Sequence, residues 1–361
     1  MNLTGLAESF RKNISVLAKG NDPQYKVTPV GMLKMLLENP VTYELSNLRQ
    51  IRDGHEHELR IRYMQRGIES EVTDRDDCLT PLSPAWKETT ITRPYFSKIG
   101  INIPDSVVRS WDSESSQTVT VGTPAAKMMT ALYETALVKI NGLLQKIDST
   151  LLSAQLAAWG VNAATGSNAA VTINFANIPT MSDGIVKLLQ QYQHNEMNGV
   201  PMIVGNGVVS AYNLLQSLKI GTDTGGFGSN PTFKLYDDPR STGIWGANHF
   251  GIFAPGFTGL VDFNKYAGGF SFDTGASVKF QLPIPMLLSN GELSALVLDA
   301  QLKNEPCNIY DEEEGTLIVQ EGWALILSKS YGLFNSPNDM FKAGDRLQGV
   351  NGTFHYIGTA V

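Results

Sequence analysis

The sequence predicts an α+β chain in which one long helix separates charged, strand-forming segments from an α/β module and a set of return strands. Three observations carry this prediction. A single apolar stripe of helical spacing runs through residues 123–159. Two-residue alternation marks strands on both sides of it. Helix and strand signals then alternate from about residue 181 to 238.

Residues 1–44 read as a polar, locally basic arm carrying Arg11, Lys12, Lys19, Lys26 and Lys34, with one short helix. Thr28-Pro29 is its start signal, VGMLKMLLEN its body and Pro40 its stop. The arm has too few apolar residues for a core of its own. It is expected to pack on something else, such as another subunit.

Residues 45–85 read as a charged hairpin. Leu59, Ile61 and Tyr63 alternate with Arg60 and Arg62. Ile68, Ser70 and Val72 face one way in the second run, and Glu69, Glu71 and Thr73 the other. Arg66-Gly67 occupies the turn. One strand carries arginines and the other glutamates, which favours cross-strand pairs. A lone hairpin is only marginally stable in water, so this one needs a neighbour to lie on. Residues 86–110 add short strands in TTITRPYFSKIGINI.

The long helix has a good N-cap in Thr123, a proline suited to the first helical position in Pro124 and a natural stop in Gly160. Met129, Leu132, Ala136, Ile140, Leu143, Ile147, Leu151 and Ala154 form its apolar stripe. Over 123–159 it would span ~54 Å, the dimension of a strut. A small-residue linker, VNAATGSNAA, follows. Then come the helix MSDGIVKLLQQYQHNE, the strand PMIVG, the helix NGVVSAYNLLQSLK, a Gly-rich loop and the strand FKLYDD. Further strands run to about residue 300. The tail, SALVLDAQLKN and TLIVQEGWALILSKSYGLF, reads as long strands with an acidic turn at DEEEG. No internal repeat is present.

Composition excludes several classes of function. Hydrophobic residues make up 42 % and charged residues 17 %, which is an ordered chain rather than a disordered one. The net charge of −7 argues against a protein that grips nucleic acid by its phosphates. Loose coating of DNA stays open. Cys78 and Cys307 make no CxxC and read as reduced thiols. No stretch approaches the ~20 apolar residues of a membrane span. The N-terminus MNLTGLAESFRKN lacks the apolar core of a signal peptide. The protein is therefore expected to fold and work where it is made.

Enzyme-like motifs are few. Gly205-Asn206-Gly207-Val208-Val209-Ser210 follows a strand and opens a helix, as a dinucleotide fingerprint does. Ser210 replaces the third glycine, and no acidic residue ends a second strand ~20 positions on. An ordinary strand–turn–helix is the better reading. The loop 221–231 lacks the Gly-Lys-Ser/Thr of a phosphate cradle. His55 and His57 lack a third metal ligand, and His194, His249 and His355 read as isolated. Asp311, Glu312, Glu313 and Glu314 lack calcium-loop spacing and read as a solvated turn. Trp111, Trp159, Trp245 and Trp323 are dispersed, with no stacking platform for single strands. No catalytic residue, cofactor or metal is assigned.

The order of parts is basic arm, charged hairpin, strut helix, α/β module and return strands. It resembles the Hong Kong 97-like major capsid proteins of tailed bacteriophages. VPMIVGNGVVSAYNLLQSLK resembles that family's axial-domain core, and GIFAPGFTGLVDF a strand pair further along that domain. ALVLDAQLKN with EGWALILSKSYGLFNSP resembles its closing peripheral sheet. The resemblance spans about residues 45–335. It implies an N-arm at 1–44, an extended E-loop at 45–85 and a peripheral domain at 86–175 with its spine helix at 123–159. An axial domain at 176–300 follows, then the return strands of the peripheral domain and a C-terminal tail at 301–361.

Its functional implication is a structural, non-enzymatic protein that assembles in the host cytoplasm into pentamers and hexamers. These close an icosahedral shell around a double-stranded DNA genome. The implied partners are further copies of the chain, a portal protein at one vertex, scaffolding and decoration proteins, and packaged DNA held non-specifically. No membrane is involved. Some family members carry a long, cleaved N-terminal scaffold segment. This chain has only a short arm after Met1, so a separate scaffolding protein, or none, is expected. Arg60, Arg62 and Arg66, with Glu69 and Glu71, are the expected inter-subunit contacts. Gly221, Asp223, Gly225, Gly226 and Gly228 are expected in a pliable loop at the capsomer axis. Two alternatives stand beside this reading: an encapsulin-like cargo shell on the same fold, and a nucleotide-binding α/β enzyme centred on Gly205–Ser210.

Overall fold

The computed structural model describes residues 3–19, 27, 29–41, 44–45, 58–65, 86–92, 95–105, 124–174, 178–207, 233–266, 269–273, 277–287, 293–305, 307–311, 316–320 and 322–359. They form an α+β fold in two compact units. Each unit draws on three separate stretches of chain. One comprises Met1–Pro29, Tyr95–Lys146 and Asp262–Tyr331; the other comprises Val30–Pro94, Ile147–Val261 and Gly332–Val361.

The first unit is built on long antiparallel strands. These are β4 (Tyr95–Pro104), β10 (Ser271–Asp273), β11 (Ser277–Leu287), β12 (Leu293–Asn304) and β15 (Gly322–Asn335), in the order β10-β11-β12-β15-β4. β9 (Thr258–Phe263) also pairs with β15. The alternation of Val278, Phe280, Leu282, Ile284 and Met286, all buried, is what one covered sheet face demands. β10 pairs only with Ser277–Lys279 of β11. Among the described residues no strand pairs with Pro283 or Pro285 on that side, where a missing N–H leaves no ladder bond unmade. β13 (Cys307–Asp311) and β14 (Thr316–Gln320) form a separate two-stranded antiparallel sheet.

An N-terminal helix, α1 (Leu3–Lys19), packs against β11. Its Leu6, Ala7, Phe10, Ile14 and Ala18 are all buried, at helical spacing. Phe10 meets the Tyr133 ring edge-on at 5.1 Å, and Ser9 Oγ lies 2.9 Å from the Tyr133 hydroxyl. This corrects the expectation of a polar arm with a single short helix. The arm is half apolar along one stripe and buries that stripe within its own chain.

Tyr133 belongs to α3 (Pro124–Leu156), the 33-residue strut, about 50 Å long. It begins at Pro124 as expected and ends four residues before Gly160. Ala136, Ile140, Leu143, Ile147 and Leu151 of the predicted stripe are buried.

The second unit holds the C-terminal end of α3, α2 (Gly31–Glu38), α4 (Ile178–His194), α5 (Ser241–Ile244) and two sheets. Its larger sheet contains β5 (Val171–Asn174), β6 (Met202–Gly205), β7 (Lys234–Asp237), β8 (His249–Phe253) and β16 (Thr353–Thr359), in the order β5-β16-β8-β6-β7. β5 runs parallel to β16 and β6 parallel to β7; the other pairings are antiparallel. Leu188 and Tyr192 of α4 pack with Ile203, Phe250, Ile252, Phe354 and Tyr356 in its core. β8 and β9, expected as a strand pair, go their separate ways: β8 pairs with β6 and β16, and β9 with β15. The helix expected at 206–219 falls largely outside the described residues.

The smaller sheet is a ribbon of β1 (Glu44–Leu45), β2 (Glu58–Met64) and β3 (Trp86–Thr92). The alternating run at 59–65 is a strand, as expected. Its described partners are β3, from Glu58↔Thr92 to Met64↔Trp86, and β1. The 68–73 run, expected as its hairpin partner, lies outside the described residues. WKETTIT is rich in the threonine, isoleucine and tryptophan that suit a pleated surface.

Candidate assembly interface

The ribbon has two unlike faces, because residues directly opposite across antiparallel strands share a side. On one face lie Ile61, Tyr63 and Lys87. Ile61 is buried. The Tyr63 hydroxyl donates to Asp339 Oδ1 at 2.6 Å, and Lys87 Nζ donates to Asp339 Oδ2 at 2.8 Å. Gln65 Nε2 donates to the Asp339 carbonyl at 2.9 Å. Lys87, and then Tyr63, hold the Asp339 carboxyl below its ordinary range. They also fix the ribbon's orientation within its unit.

The opposite face carries Arg62, Glu88, Met64 and Trp86. Arg62 Nε and Glu88 Oε1 lie 3.1 Å apart as direct cross-strand partners. Both side chains are about half exposed, so this pair contributes only ~0–1 kcal/mol. Met64 and Trp86 are also directly opposite, and they are 54 % and 61 % exposed. An exposed single apolar residue is ordinary. A tryptophan and a methionine side by side on a strand face, with an ion pair beside them, is a surface of the composition that interfaces favour.

Of the expected contact residues, Arg60 and Arg62 both lie on this outward face, and Arg62 is already paired within the chain. Arg66, Glu69 and Glu71 lie outside the described residues. So do Gly221, Asp223, Gly225, Gly226 and Gly228. Sequence reasoning missed Met64, Trp86 and Asp339. The first two were legible as apolar residues on the polar side of the alternation; Asp339, some 250 residues away, carried no local signal.

The dinucleotide-like segment has a packing explanation where it is described. A Cβ on Gly205 would lie 2.6 Å from the Phe250 side chain, because β8 runs antiparallel alongside β6 at that point. Gly207 sits at φ +71°, a conformation that costs glycine least. The glycines serve a tight strand crossing and a turn.

Two histidines read as isolated are in contact. His249 Nδ1 lies 2.9 Å from His355 Nε2. The His355 ring stacks on Trp159 at 4.7 Å between centroids, and Trp159 meets Trp245 edge-on at 5.1 Å. Burial, with His249 adding to it, lowers the His355 pKa to about 4.

Two buried carboxyls meet the first turn of α2. Asp148 of α3 accepts the Leu33 N–H on Oδ1 at 2.9 Å and Arg240 Nη1 on Oδ2 at 3.1 Å. Asp238 accepts the Met32 N–H on Oδ2 at 3.3 Å and the Arg240 N–H on Oδ1 at 3.0 Å. This corrects the expected Thr28-Pro29 start: the helix begins at Gly31, after Val30 in extended conformation, and distant carboxyls supply its cap. Desolvation, and then the Asp238 charge, push the Asp148 carboxyl up to about 8.

In the first unit Lys329 is 1 % exposed. Its ammonium meets Asp262 Oδ2 at 2.6 Å, the Val297 carbonyl at 2.8 Å and Asn264 Oδ1 at 3.1 Å. Its three donors are thereby satisfied, as a buried cation requires.

No protein-family model and no curated protein matches the sequence. Solved structures with a similar course of chain include one from Mycobacterium phage Adephagia, at 11 % identity, covering 97 % of this chain and 98 % of that one, with a TM-score of 0.45. The mature capsid of bacteriophage PhiM1 is 10 % identical, with coverage of 85 % and 83 % and a TM-score of 0.38. The capsid of Staphylococcus phage Andhra is 8 % identical, with coverage of 94 % and 88 % and a TM-score of 0.39.

Proposed function

We propose that this chain is a structural protein that assembles with copies of itself into a closed shell, as the major capsid protein of a tailed bacteriophage. The observation that carries the reading is the outward face of the β1–β3 ribbon. Its reverse side is fastened by Tyr63, Gln65 and Lys87 to Asp339, so the strands are held in place. Its outward side presents Met64 and Trp86 to solvent. A rigid platform bearing exposed aromatic and thioether groups is what a neighbouring copy can cover, and aromatic anchors dominate interface energetics. Repetition of one such contact by symmetry closes a container.

In this reading residues 45–85, with β2 among them, form the extended E-loop, α3 is the spine helix and 221–231 lies at the capsomer axis. The particle's DNA, a portal protein, and scaffolding or decoration proteins are the remaining partners. The virion is the site of action, and the role is structural rather than catalytic.

Electron microscopy of the purified or co-expressed chain tests this. Pentamers and hexamers closing into icosahedral shells are the expected result. A discrete monomer or dimer under every assembly condition overturns it.

A further inference from the structure

We propose that Asp148 and Asp238, joined through one shared proton over the first turn of α2, form a proton-operated clasp. It holds that helix against β6 and β7 and lets its N-terminal end go as pH rises. This goes beyond the assembly reading and does not rest on it.

The first turn of any helix leaves N–H groups without intrahelical partners. A side chain at the N-cap ordinarily takes one of them. Here the N-cap is Val30, which makes no side-chain cap. The Met32 and Leu33 N–H groups go instead to Asp238 and Asp148. Both carboxyls are fully buried, they accept from adjacent N–H groups of one helix turn, and Arg240 reaches both, Asp148 through its guanidinium and Asp238 through its backbone N–H. Two carboxylates in such contact cannot both ionise cheaply, so the pair retains a proton.

The charged and polar groups facing Asp148 can be named from each element. α2 offers the Leu33 N–H. The turn after β7 offers the Asp238 carboxyl and the Arg240 guanidinium, whose side chain is 25 % exposed. With one proton shared, one anion and one arginine balance. With that proton lost, two buried anions face one cation. Separating the first turn of α2 from the pair admits water and relieves the excess charge.

The packing leaves little room for compromise. Gly31 stands at φ +53°, and a Cβ there would collide with the Asp238 carboxyl. The opposite end of α2 is held by groups of another kind. Asn39 Nδ2 donates to the Tyr236 hydroxyl at 3.0 Å, and Lys234 Nζ donates to Asn39 Oδ1 at 2.9 Å. Opening therefore starts at Gly31 rather than at Glu38.

The direction with pH follows from linkage. The closed state holds a proton that an opened, hydrated Asp148 gives up above about pH 4. Each pH unit above that favours opening, by up to tenfold, until Asp148 of the closed state ionises near pH 8. The clasp is tightest in acid and weakest in mild alkali.

Hydrogen exchange of the full chain between pH 5 and 9, corrected for the intrinsic exchange rate, reads this directly. Protection of the Met32–Leu36 amides is expected to fall by up to tenfold per pH unit to about pH 8 and then level off. Amides of α4 serve as the reference. Asp148→Asn and Asp238→Asn each remove the need for a shared proton, so the slope is expected to vanish in whichever variant folds. A wild-type α2 slope no steeper than that of α4, or the same slope in a folded carboxamide variant, overturns the clasp.

Discussion

His355 couples the core of the second unit to pH in the opposite sense from Asp148. It lies between the Trp159 ring and His249, and burial lowers its pKa from the ordinary 6.5 to about 4. An unfolded chain takes up this proton below pH 6.5 while the folded one resists it. The His355 contribution is therefore fully present above pH 6.5 and is lost as pH falls through about 4. Tryptophan fluorescence is expected to report a thermal midpoint that drops over this window, with a shallower drop in His355→Gln. An equal drop in the variant would assign the acid sensitivity elsewhere. None of this was legible in the sequence, where His249 and His355 are over a hundred positions apart. Asp148 did leave a trace: it is the one charge between Ile147 and Leu151 on the apolar stripe of α3. A carboxylate on a buried stripe needs a partner, and that partner could have been looked for.

At the scale of elements, the ribbon separates two ideas about its role. If charge is what the ribbon offers a neighbour, Arg62→Glu should impair assembly most. The structure favours the apolar pair, because Arg62 already has Glu88 as a direct partner and exposed pairs contribute little. Trp86→Ser is therefore expected to lower shell yield severely, on the order of the ~2 kcal/mol or more per contact that an aromatic anchor carries. Arg62→Glu is expected to have a smaller effect. Neither should shift the subunit's thermal midpoint by more than the exposed-surface norm of about ±0.5 kcal/mol. Normal shells from Trp86→Ser would remove the ribbon from the list of contact elements. The strands themselves were readable: alternation located β2, β3, β4 and β12, and the stripe located α3. Pairing was not. β2 pairs along its length with β3, across an intervening stretch of chain, and register is chosen by side-chain complementarity across strands rather than by proximity in the chain.

At the scale of the whole molecule, each compact unit gathers three distant stretches of chain. Local periodicity carries no information about which stretches meet, and the last nine residues show the consequence. They read as part of a tail, with nothing to distinguish TFHYIGT from any short exposed strand. The structure makes Thr353–Thr359 of them β16, lying between β5 and β8 in the five-stranded sheet. Phe354 and Tyr356 of this strand are almost fully buried, and Tyr356 stacks on Phe250 at 5.5 Å. Its hydroxyl accepts from Asn162 Nδ2 at 3.3 Å. Asn162 in turn is tied to Asn195 at the end of α4, whose Nδ2 donates to Asn162 Oδ1 at 3.0 Å. Removing Thr353–Val361 would leave β8 and β5 without a shared partner and open the core beneath them. The truncated chain is expected to be insoluble, or to lose the cooperative transition reported by Trp159. Phe354→Ala, which keeps the backbone ladder, is expected to cost about 3–5 kcal/mol and to lower the midpoint while preserving solubility. A truncated chain that stays soluble with the wild-type midpoint would mean that β16 is dispensable to the sheet it now completes.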